Sequence, residues 1–331
     1  MNYSHFVGID VSKKTFDASI LDSEEQESGH RRFRNDTVGI QEMLDWTASF
    51  NIDINQTLFC AENMGCYVHL LSVTSLEKKF RLALASPLSI KRSMGLQRGK
   101  SDRIDARRIA EYACAHQRRL APFHLPDPDL VQVRDLLNLR AVFVKHKVSI
   151  TKLLETAEYH NTKDDSSPVL RMLNEELADV NVKIKETERK ISEKMSGNAS
   201  IAANYSLMQS IIGIGRINAA VIITVTDNFR KFDNPRKFAC YCGVAPFEHT
   251  SGTSIRGKTR TSKLAAKDLK VLLTRAAITA MVHDPQIRTY YLRKVSEGKH
   301  KASVINAIRA KIIYRCFAVV KRQTPFVRLM A

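Results

Sequence analysis

The chain has 331 residues, 44% of them hydrophobic and 26% charged, which is enough apolar sequence for two or three domains with real cores. No apolar run is long enough to cross a membrane, and the first residues do not resemble a signal peptide, so a cytoplasmic protein is expected. The net charge is +18, which makes the chain strongly basic.

The excess positive charge is concentrated at the C-terminal end. Residues 198–331 carry 23 Lys/Arg against 6 Asp/Glu, whereas residues 1–126 carry 17 against 15 and residues 127–197 carry 12 against 13. A section with a net charge of +17 predicts a polyanionic partner, and nucleic acid is the first candidate. An acidic membrane surface suits the chain less well, because no basic amphipathic anchor stands out.

The six cysteines do not follow a metal-binding or disulfide framework. Their spacing does not pair them as zinc ligands, and several lie in apolar runs, which favours reduced thiols in the core. They are Cys60, Cys66, Cys114, Cys240, Cys242 and Cys316.

The first 126 residues predict an α/β domain. Short apolar runs indicate strands, and longer periodic stretches between them indicate helices, in the order βββαβαβα. This is the ribonuclease-H-like layout, in which the first and fourth strands are neighbours. The predicted strands are 5–11, 16–21, an edge strand at 30–35, 57–62 and 81–85, with helices at 38–50 and 67–76.

Four acidic residues occupy positions at which burying a carboxylate is unfavourable unless the group has a structural or functional role. Asp10 and Glu62 end the first and fourth predicted strands, and Asp102 and Asp105 lie three residues apart at the start of a helical stretch, on the same side. Such a cluster repels itself unless cations fill it, and all-oxygen ligands suit Mg²⁺ or Mn²⁺, whose use here would be phosphoryl chemistry. The alternative is that these acids merely cap turns and a helix N-terminus.

From residue 130 the hydrophobic period becomes helical. Apolar residues recur every three or four positions over 130–148 and again over 170–191, with a polar break at 161–168. Two long amphipathic helices forming an antiparallel, coiled-coil hairpin are predicted for a domain spanning 127–197. The apolar stripe would serve either this internal packing or dimerisation.

A third domain, mainly helical and basic, is predicted for residues 198–331. It begins with a helix–hairpin–helix pattern in which Gly213 and Gly215 would let the backbone approach a phosphate, beside Arg216. An ordinary tight turn explains the two glycines almost as well.

The stretch 249–263 is polar and free of acids, and we expect a flexible loop. Hydroxyl groups among cations suit phosphate binding or a phosphate-attacking serine, and Ser251 and Ser254 compete for that second role. The cations are Arg256, Lys258, Arg260 and Lys263.

Six stretches together resemble a known family, the DEDD transposases of bacterial insertion sequences, which includes the Piv-type DNA invertases. They occur in the family's order and cover almost the whole chain: Val7–Lys13, Ala61–Tyr67, Lys100–Arg107, Ile211–Gly215, Phe238–Pro246 and Ser251–Gly257.

The resemblance implies a RuvC-like nuclease domain that binds a divalent metal through Asp10, Glu62, Asp102 and Asp105. It also implies a separate transposase domain whose catalytic serine matches Ser251, acting in a nucleoid-associated, bacterial homo-oligomer (dimer or tetramer) on donor and target DNA. A structured guide RNA encoded by the element is a further implied partner.

Three other functions remain open from the sequence. A Piv-type invertase would use the same residues, a Holliday-junction resolvase-like nuclease would need the acids but not Ser251, and a non-catalytic nucleic-acid-binding protein would need neither. Tyr67 and Tyr241 are the alternative nucleophiles if a tyrosine, rather than a serine, binds DNA covalently.

Overall fold

A computed structural model describes residues 3–93, 95, 99, 101–160, 167–251, 255–262 and 265–327. The chain divides into two compact units, Met1–Leu125 and Pro126–Ala331. The three domains that the sequence analysis delimits at residues 126 and 197 stay a prediction.

The first unit contains a five-stranded mixed sheet in the order β3-β2-β1-β4-β5. Strands β1, β2 and β3 pair antiparallel, and β4 and β5 continue the sheet parallel to β1. The strands are β1 (His5–Val11), β2 (Thr15–Asp22), β3 (Glu27–Arg34), β4 (Thr57–Glu62) and β5 (Arg81–Ala85). The predicted adjacency of the first and fourth strands is therefore confirmed, and the third strand lies at the edge but begins three residues earlier than predicted.

Helices cover both faces of this sheet. They are α1 (Thr37–Ala48), α2 (His69–Glu77), α3 (Pro87–Ser93) and α4 (Asp102–His116), with short 3-10 helices at Ile54–Gln56 and Gly65–Val68. Val7 and Ile9 of β1 pack into a core on the side of α1 and α2, whereas Phe6 packs with Ile109 and Ala110 of α4 on the other side. Because side chains alternate along a strand, Gly8 and Asp10 belong to the α4 side.

Helix α4 lies unusually close to β1, and Gly8 allows it. A Cβ atom placed on Gly8 would lie 2.1 Å from the carbonyl oxygen of Ala106 and 2.2 Å from the amide nitrogen of Ala110. Both contacts are with helix backbone, which cannot swing aside as a flexible side chain can. Glycine at position 8 therefore fixes the distance between the helix and the strand that carries Asp10.

The second unit begins with two long antiparallel helices, α5 (Pro128–His160) and α6 (Pro168–Gly197). Arg140 bonds Glu188 at 2.7 Å and Lys194 bonds Asp129 at 3.3 Å, so the start of α5 lies beside the end of α6. Their far ends share a small apolar cluster built on Ile150, Leu154 and Val180. The predicted pair of helices is thus an internal hairpin in this structure; dimerisation through it stays a prediction.

The rest of the second unit is mainly helical, as the sequence analysis expects. Its large core joins helices from α7 to α12 with the beginning of α5 and the end of α6. The helices are α7 (Ala199–Gln209), α8 (Arg216–Thr226), α9 (Pro235–Tyr241), α10 (Lys267–His283), α11 (Pro285–Ser296) and α12 (Lys301–Arg322). None of the helices in the described ranges is long and apolar enough to span a membrane.

The predicted flexible loop is wrong as a description of the backbone at 249–251 and 255–261, and residues 252–254 and 263 of that stretch lie outside the described residues. Strands β6 (Pro246–Ser251) and β7 (Ile255–Thr261) pair antiparallel there as a two-stranded hairpin. Threonine recurs through this stretch, and β-branched residues favour strands even where most neighbours are polar. The hydrophilic composition alone therefore pointed to the wrong secondary structure.

The close packing at Gly8 predicts a large loss of stability on substitution. Gly8→Ala must move α4 or β1, and we expect it to lower the free energy of unfolding by about 2–4 kcal/mol. Gly197→Ala is the matched control, because a Cβ there would meet nothing within 4 Å. Urea unfolding of both variants measures the difference, and equal stabilities for the two would contradict the packing argument.

Candidate active site

Two of the four predicted acids lie side by side at the carboxyl ends of the neighbouring strands β1 and β4. Asp10 is the sixth residue of β1 and Glu62 is the last residue of β4. Ile9 is in register with Ala61 in the parallel pair, so Asp10 and Glu62 each follow by one residue. The sheet thus brings together two carboxylates that are distant in sequence.

The other two acids lie in the first turn of α4. Ser101 is the residue that caps this helix, since its side chain accepts a hydrogen bond from the amide of Ile104 at 3.3 Å. Asp102 and Asp105 follow the cap and gain from the positive end of the helix dipole. The capping role considered for Asp102 therefore belongs to Ser101, which leaves Asp102 available for another role.

The electrostatics of Asp10 show that each of the other three acids acts on it. The pKa of Asp10 is raised from 3.8 to about 6, first by its burial and then by the negative charges of Asp105, Asp102 and Glu62, with a smaller contribution from Asp17. Residues from three separate parts of the chain therefore create a strongly negative potential at one strand end. A bound cation would offset this negative potential.

Arginines already neutralise part of this charge. Arg32 donates a hydrogen bond to Asp102 at 2.6 Å, and Arg108 donates to Asp105 at 3.0 Å. Within the ranges that the structure describes, no three His, Cys, Asp or Glu side chains are arranged as a ready set of metal ligands. The donor chemistry, carboxylate oxygen throughout, nonetheless fits Mg²⁺ or Mn²⁺.

Asp17 and Arg32 were not identified by the sequence analysis. Asp10 is in register with Asp17 of β2, and Asp17 is in register with Arg32 of β3, so the three form a row across the sheet. Asp17 is only 4% exposed and bonds His30 at 2.8 Å and Arg32 at 2.9 Å. One signal was available in the sequence: a carboxylate inside a predicted strand, with apolar neighbours on both sides, requires a cationic partner if it is buried.

The predicted nucleophile lies on the β6–β7 hairpin of the second unit. Ser251 is the last residue of β6 and is paired with Ile255, and the competing Ser254 lies outside the described residues. Three of the four predicted cations, Arg256, Lys258 and Arg260, occupy alternate positions of β7. The fourth, Lys263, lies outside the described residues, as Ser254 does. Their contacts with nucleic acid stay a prediction.

The predicted helix–hairpin–helix start is present as α7, a turn and α8. Gly213 has a positive φ of 96°, and a Cβ there would lie 2.4 Å from the carbonyl oxygen of Ala276, so packing against α10 requires this glycine. Gly215 and Arg216 are exposed where α8 begins. A phosphate contact at Gly213, Gly215 and Arg216 stays a prediction, with Arg216 the most accessible of the three.

The cysteines buried in the cores are not candidate nucleophiles. All six are free thiols, and burial raises the pKa of Cys60, Cys242 and Cys316 to about 12. These three remain protonated and unreactive near neutral pH. Of the alternative tyrosines, Tyr241 packs against Phe232 and Phe238, and Tyr67 is 40% exposed.

The raised pKa of Asp10 predicts a pH-dependent effect of Asp10→Asn. The folded chain holds the Asp10 proton more tightly than the unfolded chain, so the ionised form of Asp10 lowers the free energy of unfolding. This destabilisation is fully present above about pH 6 and absent below about pH 4. We expect Asp10→Asn to raise the free energy of unfolding by about 1–2 kcal/mol at pH 7.5, and by much less at pH 4.

Urea unfolding at the two pH values measures this effect. Asp45→Asn is the matched control, because Asp45 is exposed on α1 and its carboxylate bonds only Gln41 among the side-chain hydrogen bonds of the described residues. A gain for Asp10→Asn that is equal at both pH values would contradict the electrostatic origin of the shift.

Two family models match the chain in succession. A DEDD transposase model, described as "Transposase", matches residues 7–158, and a model described as "Transposase IS116/IS110/IS902 family" matches residues 205–292. The first match includes all four acids, and the second includes the hairpin with Ser251.

Curated relatives align over nearly the full chain. The "Pilin gene-inverting protein" of Moraxella lacunata is 23% identical over 97% of both chains, and the "Probable family 20 transposase" of Pseudomonas aeruginosa is 23% identical over 98% of this chain and 99% of its own. Both relatives therefore share the order of the two matched regions.

Among solved structures, T. thermophilus RuvC in complex with Holliday junction substrate superposes on 37% of this chain and 100% of its own, with a TM-score of 0.29 and 10% identity. The family matches are the stronger finding: the chain belongs to the DEDD transposase family of insertion sequences, a family of DNA-recombining enzymes.

Proposed function

We propose that the protein is the recombinase of an insertion sequence, which cleaves DNA at specific sites and rejoins it through a covalent phosphoserine intermediate. The observation that carries this proposal is the placement of Asp10 and Glu62 at the ends of neighbouring strands, close enough to Asp102 and Asp105 for the charges of all three other acids to act on Asp10. An acidic site of this kind, in a chain of this family and basic charge, is suited to chemistry on nucleic-acid phosphates.

Asp10, Glu62, Asp102 and Asp105 would hold Mg²⁺ or Mn²⁺. The support for this assignment is the all-oxygen donor set and the negative potential that a cation would offset. A metal held there would supply Lewis-acid chemistry, by polarising the scissile phosphate and lowering the pKa of an attacking hydroxyl group. The domain that carries these acids, 1–126 in the predicted division, would be the RuvC-like nuclease part of the enzyme.

Ser251 would be the nucleophile of the reaction. Its Oγ attacks phosphorus, the bond from phosphorus to the leaving sugar oxygen breaks, and the serine proton is passed to that oxygen. A hydroxyl group of a second DNA strand then attacks the phosphoserine, which re-forms a phosphodiester bond and releases Ser251. Cations of β7, such as Arg256 and Lys258, would offset charge on the phosphate oxygens during both steps.

The basic section 198–331 would bind donor and target DNA and a structured guide RNA. Its net charge of +17 supports polyanion binding, and this support applies equally to DNA and RNA. A homo-oligomer, either dimer or tetramer, completes the proposal. RNA sequencing of material that co-purifies with the protein distinguishes an RNA-guided enzyme from one that binds DNA alone.

DNA inversion is the second candidate, because the pilin gene-inverting proteins align over 97% of the chain. Inversion and transposition use the same strand chemistry and differ in which ends are joined. A plasmid that carries two inverted recombination sites separates them: inversion of the intervening segment supports the second candidate, and loss or movement of the segment supports the first.

The nucleophile assignment predicts the behaviour of two serine variants. Ser251→Ala should bind DNA normally yet form no covalent adduct, because the hydroxyl group that bonds phosphorus is gone, whereas Ser254→Ala should keep measurable adduct. Mass spectrometry of the protein trapped on a nicked substrate locates the phosphate. Phosphate on Ser254, Tyr67 or Tyr241 would refute the assignment, and free 5′-phosphate ends without adduct would indicate a hydrolytic nuclease.

The cations of β7 predict a change in the salt dependence of DNA binding. Replacing Arg256, Lys258 and Arg260 together by alanine should flatten the slope of log affinity against log salt by about three, roughly one for each lost phosphate contact. The control is a triple alanine variant with the same change in charge, made at cations that already pair with acids of this unit: Lys237, Arg293 and Lys294. Equal slopes for the two variants would place the DNA elsewhere.

A further inference from the structure

We propose that Arg32 is a positioning residue for Asp102: anchored on the buried carboxylate of Asp17, it holds Asp102 in the orientation from which Asp102 binds the catalytic metal. The inference rests on the proposed metal site and extends it by two residues, Asp17 and Arg32, that are not among the four acids.

The contacts form a continuous chain across the sheet. The Nε of Arg32 donates to Oδ2 of Asp17 at 2.9 Å, and its Nη2 donates to Oδ2 of Asp102 at 2.6 Å. The ring of His30 bonds the other oxygen of Asp17 at 2.8 Å. One guanidinium group thus joins a carboxylate of the sheet to a carboxylate of helix α4.

Burial of the anchor is what makes this contact directional. The side chains of Arg32 and Asp102 are 56% and 64% exposed, and an exposed ion pair alone contributes at most about 1 kcal/mol and orients its partners poorly. The Asp17 side chain is only 5% exposed, so it fixes one edge of the guanidinium plane. The planar, forked donor geometry of arginine then determines where the second carboxylate lies.

Other contacts keep α4 docked on the sheet, which separates docking from orientation. Glu27 of β3 bonds Arg103 at 3.2 Å and lies 3.8 Å from Arg107, and Gly8 allows the close backbone contact. None of these contacts involves the carboxylate of Asp102. Loss of Arg32 should therefore leave the helix in place and release the Asp102 side chain.

Release of Asp102 matters because its neighbours repel it. Asp102 contributes to the same negative potential that acts on Asp10, so an untethered Asp102 carboxylate turns toward solvent, away from the other acids. Carboxylates that bind metals are themselves held by hydrogen bonds, and loss of such a partner typically lowers metal affinity or activity about 10- to 100-fold. Arg32 supplies this kind of hydrogen bond to Asp102.

The test is Mn²⁺ titration calorimetry on the full-length chain and its variants. Arg32→Gln should lower Mn²⁺ affinity about 10- to 100-fold, and Arg32→Lys should restore little of it, because a single ammonium group cannot bridge both carboxylates as the fork does. Asp17→Asn should reproduce much of the Arg32→Gln loss, and the double variant should lose little more than either single one.

Arg34→Gln is the matched control. Arg34 is on the same strand, two residues from Arg32, and pairs with the exposed Asp36 at 3.4 Å. The Arg34→Gln substitution removes the same charge as Arg32→Gln but no contact with Asp102. The Mn²⁺ affinity of this variant should therefore stay within about twofold of the wild type.

Hydrogen exchange of the amides at the start of α4 is measured in the same variants without metal. Faster exchange in Arg32→Gln with unchanged Mn²⁺ affinity would reduce Arg32 to a structural contact and overturn the proposal. Higher affinity in Arg32→Gln would overturn it as well, since Arg32 would then compete with the metal. Failure of the wild type to bind Mn²⁺ would instead refute the metal site itself, together with the inference that rests on it.

Discussion

The contact between helix α4 and strand β1 at Gly8 is the constraint on which the acidic site depends. Because a Cβ at this position would lie 2.1 Å from a helix carbonyl oxygen, the two backbones approach as closely as a glycine permits. Asp10 lies two residues further along the same face of β1, and α4 begins with Asp102 and Asp105. A small change in this distance would alter the interactions of Asp102 and Asp105 with the acids of the sheet.

Bringing these carboxylates together costs free energy, and several features of the fold offset that cost. The arginines at Asp102 and Asp105 neutralise two of the charges, and the N-terminus of α4 favours negative charge in its first turn. Burial of Asp10, together with the charges of the neighbouring acids, raises its pKa to about 6. A site that is strained by its own charge is well prepared to take up a cation.

Charge is divided unevenly along the sequence. Residues 1–126 are nearly neutral, with 17 Lys/Arg against 15 Asp/Glu, whereas residues 198–331 carry 23 against 6. A metal site requires concentrated carboxylates, and binding of a phosphate backbone requires concentrated cations. The two requirements conflict within one small domain, and under the proposed function separate sections of the chain would meet them.

The sequence by itself determined the elements of the sheet, the long helical hairpin and the positions of the four acids. Apolar runs such as 81–85 define strands whatever their neighbours, because burying them is favourable in any arrangement. The polar hairpin at 246–261 was missed, because its strands have no alternating apolar face to reveal them. Only the tertiary structure decided that Asp10, Asp17 and Arg32 form one row, since that depends on the register of strands β1, β2 and β3. It also decided that Arg32 reaches Asp102, 70 residues away, because cross-strand register and the docking of α4 are properties of the folded chain that no local pattern encodes.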